Sequence, residues 1–224
     1  MLTIFGASVS VHTRKAIVTA ILKDIPYRIN PVMPFDPPEN WRSFSPTGLI
    51  PAISHDGFEL ADSAAICGYL EKCRPAPSIY PRDAKAYGRA LWLEQYAGSV
   101  LFREVIRPLF HQKIIRPHIL KEGEPDQTEI ERVQTEVAPD IFVYLDAQIS
   151  SDGFFANGSL TIADIAVASN LLNYQYLGFR LDTRRYPELA AWFSRTIDEK
   201  PFRSALKDEE PFASQMGLDR TFLA

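Results

Sequence analysis

Residues 49–66 read LIPAISHDGFELADSAAI, and this stretch carries the organisation of the first half of the chain. Leu49-Ile50-Pro51-Ala52-Ile53-Ser54 and Phe58-Glu59-Leu60 are two short apolar strands separated by His55-Asp56-Gly57. Its Asp-Gly pair takes up the positive φ that a tight hairpin needs. Asp62-Ser63 follows, two residues whose side chains accept from the exposed N–H groups of a helix start. Ala65, Ile66, Tyr69 and Leu70 then recur at helical spacing until Pro75. The stretch is therefore an antiparallel pair running directly into an amphipathic helix.

Upstream, Leu2-Thr3-Ile4-Phe5 stops at Gly6 as a short buried strand. From Ser10, Ala16, Ile17, Ala20 and Ile21 take over at helical spacing, with Arg14, Lys15 and Lys23 expected on the other face. Pro26 ends that helix and Tyr27 to Val32 alternates as a second strand, long enough after the first for parallel pairing. Between Pro34 and Ser45, Pro34, Pro37 and Pro38 forbid a long helix. The order β-α-β, turn, β-β-α is that of a thioredoxin-like unit over residues 1–77, and Pro75-Ala76-Pro77-Ser78 opens a linker over 78–83. Residues 84–224 are periodic only as helices: Ala84 to about Ile115, Asp126 to Ile149, Ile162 to about Tyr176, Pro187 to Ile197, and a short one near Phe202 to Leu206. In the third of these, Thr161 with Asp164 forms a capping box and Leu160 faces Ile165 as a hydrophobic staple, so Asp164 reads as structural.

Composition narrows the function classes. With 24 Lys and Arg against 28 Asp and Glu the net charge is −4, which offers no concentrated basic surface for phosphates and argues against a nucleic-acid partner. Hydrophobic residues at 46% and charged ones at 23% belong to a folded globular protein, because enough apolar surface is present to bury. No apolar run approaches the ~18 residues of a membrane span, and MLTIFGASVSVHTRK lacks the parts of a secretory signal, so a cytoplasmic location with no membrane partner is expected. The two cysteines, Cys67 and Cys73, have neither redox-pair nor zinc-ligand spacing, and His12, His55, His111 and His118 make no metal-binding motif.

Four segments in this order, SVSVHTRK after the first strand, SPTGLIPAI before the third, ELADSAAI opening the helix after the fourth and SLTIADIAVA in the helical half, resemble the cytosolic glutathione transferases over essentially the whole chain. The resemblance extends to the Ser-type, phi-like members of that family. It implies a thioredoxin-like α/β domain binding glutathione as co-substrate, followed by an all-α bundle that contributes the electrophile pocket, and a homodimer.

The chemistry can be set beside the residues. Glutathione is a thiol of alkaline pKa, so its use as a nucleophile near neutrality needs a stabilised thiolate. Ser10 lies between the first strand and the first helix, where N–H dipoles point outward and a hydroxyl can donate to a developing sulfur anion. The resemblance makes Ser10 the catalytic serine; capping of the helix is its other reading, and Ser8 is its competitor. His12 reads as a surface residue of the first turn, with a catalytic base as its other reading. No cysteine precedes Cys67, so the disulfide chemistry of the cysteine-bearing members of the family is not expected. Ile50-Pro51 resembles the family's cis-proline step, whose preceding backbone pairs with the cysteinyl part of glutathione. Asp62 and Ser63 resemble the pair that holds the γ-glutamyl amine and carboxylate, a placement that suits an anion at a helix N-terminus.

The chain also departs from the pattern. Where phi-like members use a histidine or lysine to clamp the glycyl carboxylate, this sequence has Phe35-Asp36-Pro37-Pro38-Glu39-Asn40-Trp41-Arg42, which leaves Arg42, or the Trp41 indole N–H, for that task. Leu49 stands where a glutamine often helps hold the tripeptide. Phe102, Arg103, Arg107, Phe110, His111, Lys113 and Arg116 are the candidates for the small-molecule electrophile pocket; a solvated face is the other reading of the arginines. The expected function is attack of the glutathione thiolate on a small hydrophobic electrophile. A non-catalytic binding or interaction module, suggested by Asp36 and Leu49, and a glutathione-dependent isomerase or dehalogenase are the alternatives.

Overall fold

The computed structural model describes residues 1–156 and 158–223. Two compact units emerge, one comprising Met1–Tyr80 with Asp198–Phe212, the other Pro81–Ile197 with the residues from Ala213 on.

In the first unit, β1 (Leu2–Phe5), β2 (Tyr27–Asn30), β3 (Ala52–His55) and β4 (Phe58–Ala61) form one sheet in the order β2-β1-β3-β4. β1 and β2 are parallel, joined through α1 (Val11–Leu22); β3 lies antiparallel to both β1 and β4. Phe5, Ala52 and Ala61 sit opposite one another across three strands. They share a face with Val32 and with Trp41 and Phe44 of the single-turn α2 (Trp41–Phe44), whose rings stack 5.7 Å apart. The alternate residues Ile4 and Ile53, fully buried, turn to the other face. There α1 packs with α3 (Ser63–Cys73), where Cys67 Sγ lies 3.3 Å from Thr19 Oγ1 and where Ile17, Ile66 and Leu70 are fully buried.

The expected basic outer face of α1 is not there. Arg14 and Lys23 are fully buried, each with a partner inside the unit, and Lys15 is nearly as buried. Lys23 pairs with the Glu71 carboxylate and donates to the carbonyl of Pro77, while Ser78 and the Ile79 N–H also bond Glu71, at 2.6 and 3.2 Å. The segment after α3 is thus tied down onto α1. Arg14 meets Glu209, and the helix that carries Glu209 runs from Lys200 to Gln215. This is far longer than the Phe202–Leu206 helix expected from sequence, and its first part, to Phe212, belongs with the α/β unit rather than with the rest of residues 84–224. Glu209 lies on the same buried stripe as Phe202, Ala205 and Leu206.

The second unit is helical: α4 (Ala84–Tyr96), α5 (Arg107–Phe110), α6 (Gln127–Arg132), α7 (Ala138–Asp146), α8 (Ile162–Tyr176) and α9 (Pro187–Asp198, to Ile197); the Lys200–Gln215 helix is α10. Wider π-helical turns at Ala97–Ile106, His111–Leu120 and Val133–Val137 continue α4, α5 and α6. α8 is buried along its whole length, so it forms the axis of this unit, and it starts and stops at the residues the periodicity predicts. Its start is held by Asp164, which accepts from Thr161 N at 2.9 Å, Thr161 Oγ1 at 2.7 Å, Phe155 N at 3.2 Å and Trp192 Nε1 at 2.9 Å. Burial pushes the Asp164 carboxyl upward, and these four donors oppose that shift.

Candidate functional site

Strand register assembles the site. The row Phe5–Ala52–Ala61 lies at the C-terminal end of β1, the N-terminal end of β3 and the C-terminal end of β4. The β1–α1 turn with Ser10, the Ile50–Pro51 step and the Asp62–Ser63 helix start therefore leave one end of the sheet together. Gly6 shows how tightly: a Cβ there would lie 2.5 Å from Thr13 Oγ1 and 3.4 Å from Ile50 Cβ, at a φ of +153°. Only a residue without a side chain lets the chain leave β1 this close to the Thr13 side chain of α1.

Ser10 is the N-cap of α1, with φ −68° and ψ 132°. Its carbonyl accepts from Arg14 N at 2.8 Å and its N–H donates to Ala7 O at 2.9 Å, but its hydroxyl makes no capping bond to the helix. The hydroxyl is thus left for another acceptor at the positive end of a helix of 12 residues. Ser8 is buried, whereas Ser10 is half-buried. The first turn also holds His12, which sequence reasoning put at the surface. Burial, reinforced by Lys15 and opposed by Asp62, lowers its pKa to about 4, so the imidazole is neutral at physiological pH.

The Ile50–Pro51 peptide bond is cis, the geometry expected of that step, and Pro51 is buried. A second cis bond, Ala76–Pro77, lies in the segment held by Lys23 and was not expected. Asp62 takes φ +79°, a conformation that costs a non-glycine residue about 1–3 kcal/mol and persists where the surroundings impose it. Its Oδ1 accepts from Ala64 N at 2.8 Å and Ala65 N at 3.1 Å, so the capping reading of Asp62 holds in the structure, and Ser63 is the first, buried residue of α3.

Of the two residues expected near the glycyl carboxylate, Trp41 is committed elsewhere: it is buried and its indole donates to Gly48 O at 3.2 Å. Arg42 is exposed, leaning on Gly48 and donating to Pro46 O at 3.4 Å, on the turn that leads into Leu49 and Ile50. Leu49 is 64% exposed. Among the helical candidates, Lys113 caps the end of α8 by donating to Leu177 O at 2.6 Å and lies 4.9 Å over the Phe179 ring, and Arg116 donates to Glu124 O at 3.1 Å. Arg103 and Arg107 are exposed; Phe102, Phe110 and His111 are half-buried.

A four-stranded thioredoxin-like sheet whose helix N-termini and cis-proline step meet at one end, in a chain that continues into a helical unit, defines the glutathione transferase fold. Residues 4–78 match the glutathione S-transferase N-terminal domain and residues 106–199 the C-terminal domain, so the chain belongs to the glutathione S-transferase family. It is similar to glutathione S-transferase hmp2 of Hypomyces subiculosus, 24% identical over 87% of this chain and 92% of that protein. It is also similar to the stringent starvation protein A homolog of Coxiella burnetii, 21% identical over 94% of this chain and 93% of that one. Among solved structures, a glutathione S-transferase from Rhodospirillum rubrum superposes with a TM-score of 0.83 at 26% identity, covering 92% of each chain. No helix among the described residues is long and apolar enough to cross a membrane.

Proposed function

We propose that the protein is a Ser-type, phi-like glutathione transferase in which Ser10 stabilises the thiolate of bound glutathione. The observation that carries this reading is the Ser10 hydroxyl, unspent on capping at the N-terminus of α1, at the sheet end shared with the cis Ile50–Pro51 step and Asp62–Ser63. In this reading the Ile50 backbone pairs with the cysteinyl part of the tripeptide, Ser63 at the α3 N-terminus receives the γ-glutamyl carboxylate, and Asp62 faces its ammonium. Arg42 serves the glycyl carboxylate.

The thiol proton leaves to water rather than to His12, since an imidazole of pKa about 4 does not retain a proton at neutral pH. Ser10 Oγ–H and the first-turn N–H groups of α1 then hold the sulfur anion. Attack forms a C–S bond at the electrophilic carbon; a leaving group departs with its bonding pair, or an activated double bond takes up a proton from water. The protein acts as a cytoplasmic homodimer on a small hydrophobic electrophile, and a half-exposed apolar patch on the helical unit is offered for the second copy. In that patch the Trp92 indole donates to Tyr144 Oη at 2.6 Å, the Tyr96 and Tyr144 rings lie tilted with centroids 4.7 Å apart, and Val143 is 50% exposed.

The ultraviolet thiolate difference spectrum of glutathione, recorded with wild type and Ser10→Ala across a pH series, tests the assignment. A thiolate well below the pKa of free glutathione, lost in the variant, supports it. Absence of a thiolate at saturating glutathione refutes it and favours a non-catalytic interaction module, the reading that the exposed Leu49 supports.

A further inference from the structure

The turn that presents Ser10 is braced from the far end of the chain. Arg14, one helical turn after Ser10, is fully buried, as is Glu209 of α10. Two parallel bonds join them, Nε to Oε1 at 2.5 Å and Nη2 to Oε2 at 2.8 Å, and the same Nη2 donates to the carbonyl of Val9 at 3.2 Å. One guanidinium therefore links α10 to the peptide immediately before Ser10. A second tie, from the Tyr27 phenol to Asp208, fastens the neighbouring residue of α10 to β2.

A buried ion pair is a poor source of net stability, because desolvating both charges offsets most of their attraction and an apolar pair of similar volume often serves as well. What an apolar pair cannot do is hold a backbone carbonyl in a fixed direction. The planar guanidinium fork does, since its donors are rigidly spaced and Glu209 orients the plane. The Val9 carbonyl and the Ser10 N–H belong to the same peptide, so the bond from Arg14, together with Ser10 N to Ala7 O at 2.9 Å, sets that peptide plane from both sides.

We propose that Arg14 and Glu209 are positioning residues for Ser10. This rests on the reading of Ser10 as the thiolate donor. The α10 carboxylate, through the guanidinium, fixes the Val9–Ser10 peptide and with it the aim of the Ser10 hydroxyl, a role for the C-terminal helix that no local sequence motif carries.

The test compares wild type with the double variant Arg14→Met/Glu209→Met, which removes the pair as a unit and leaves no uncompensated buried charge. It adds Arg14→Lys, which keeps a cation for Glu209 but lacks the fork that reaches Val9. Glutathione itself is the probe, read by thiolate absorbance against pH and by kcat and KM, with circular dichroism confirming the fold. The expected result is a thiolate midpoint raised by about one pH unit, and so about tenfold less thiolate at a pH below both midpoints, with kcat falling in step and KM for glutathione nearly unchanged. A folded variant, either one, that titrates with the wild-type midpoint overturns the proposal while leaving Ser10 intact. Wild type that forms no thiolate removes the reading beneath it instead.

Discussion

Moving wild-type protein from pH 7 to pH 5 should cost it stability through His12. The imidazole is lowered from 6.5 to about 4 in the folded protein, so the unfolded chain takes up a proton in a window where the folded one does not. Stability then rises with pH across that window and is lost as pH falls through it. At pH 5 the unfolded imidazole is almost fully protonated and the folded one almost fully neutral. Each tenfold difference in proton affinity between the two states is worth about 1.4 kcal/mol, so the loss amounts to about 2 kcal/mol at pH 5 and grows to about 3 kcal/mol below pH 4. Other groups titrate in the same range, so the measurement is a comparison: urea unfolding of wild type and His12→Gln at several pH values between about 7.5 and 4.5. The stability difference between the two should shift by about 2 kcal/mol in favour of the glutamine variant as pH drops to 5, with unchanged m values. An invariant difference, or a His12 ring signal titrating near its ordinary 6.5 by NMR, would refute burial beside Lys15 as the cause.

Ser10→Ala should lower turnover on the order of a hundredfold, since one well-aimed donor to an anionic sulfur is worth about 3 kcal/mol. Its unfolding free energy should stay within about 0.5 kcal/mol of wild type, because the hydroxyl makes no capping bond; a loss under threefold in turnover would move the role to Ser8 or to backbone N–H groups. Asp164→Ala strands four buried donors at the start of α8 and should cost about 3–5 kcal/mol by urea unfolding, although burial itself disfavours the charge. A cost below about 1 kcal/mol would mean that water replaces the carboxylate. Trp92→Glu should shift sedimentation toward the monomer if the Trp92–Tyr96–Tyr144 patch seats a second copy, and an unchanged sedimentation coefficient would exclude that surface.

Much of this protein is legible in local pattern. The Asp56-Gly57 hairpin, the Asp62 cap, the capping box at Thr161 and Asp164, and both ends of α8 follow from interactions among residues a few positions apart. Such contacts can be read along the chain, because the backbone brings near neighbours together in only a few ways. The order of strands and helices, and with it the α/β unit and the helical continuation, belongs to the same category.

What only tertiary structure decides is the fate of charges. Arg14, Lys15 and Lys23 read as the solvent face of α1, and Glu209 lies beyond the Phe202 to Leu206 helix that periodicity predicts, yet a charge is buried only where a partner meets it. The partners are remote: Glu209 lies 195 positions from Arg14, and Glu71, Pro77 and Lys23 converge from separate elements. The burial that keeps His12 neutral and the commitment of Trp41 to Gly48 arise in the same way. Periodicity states which face of a helix is apolar; whether a cation on it is buried depends on an acid that another part of the fold delivers.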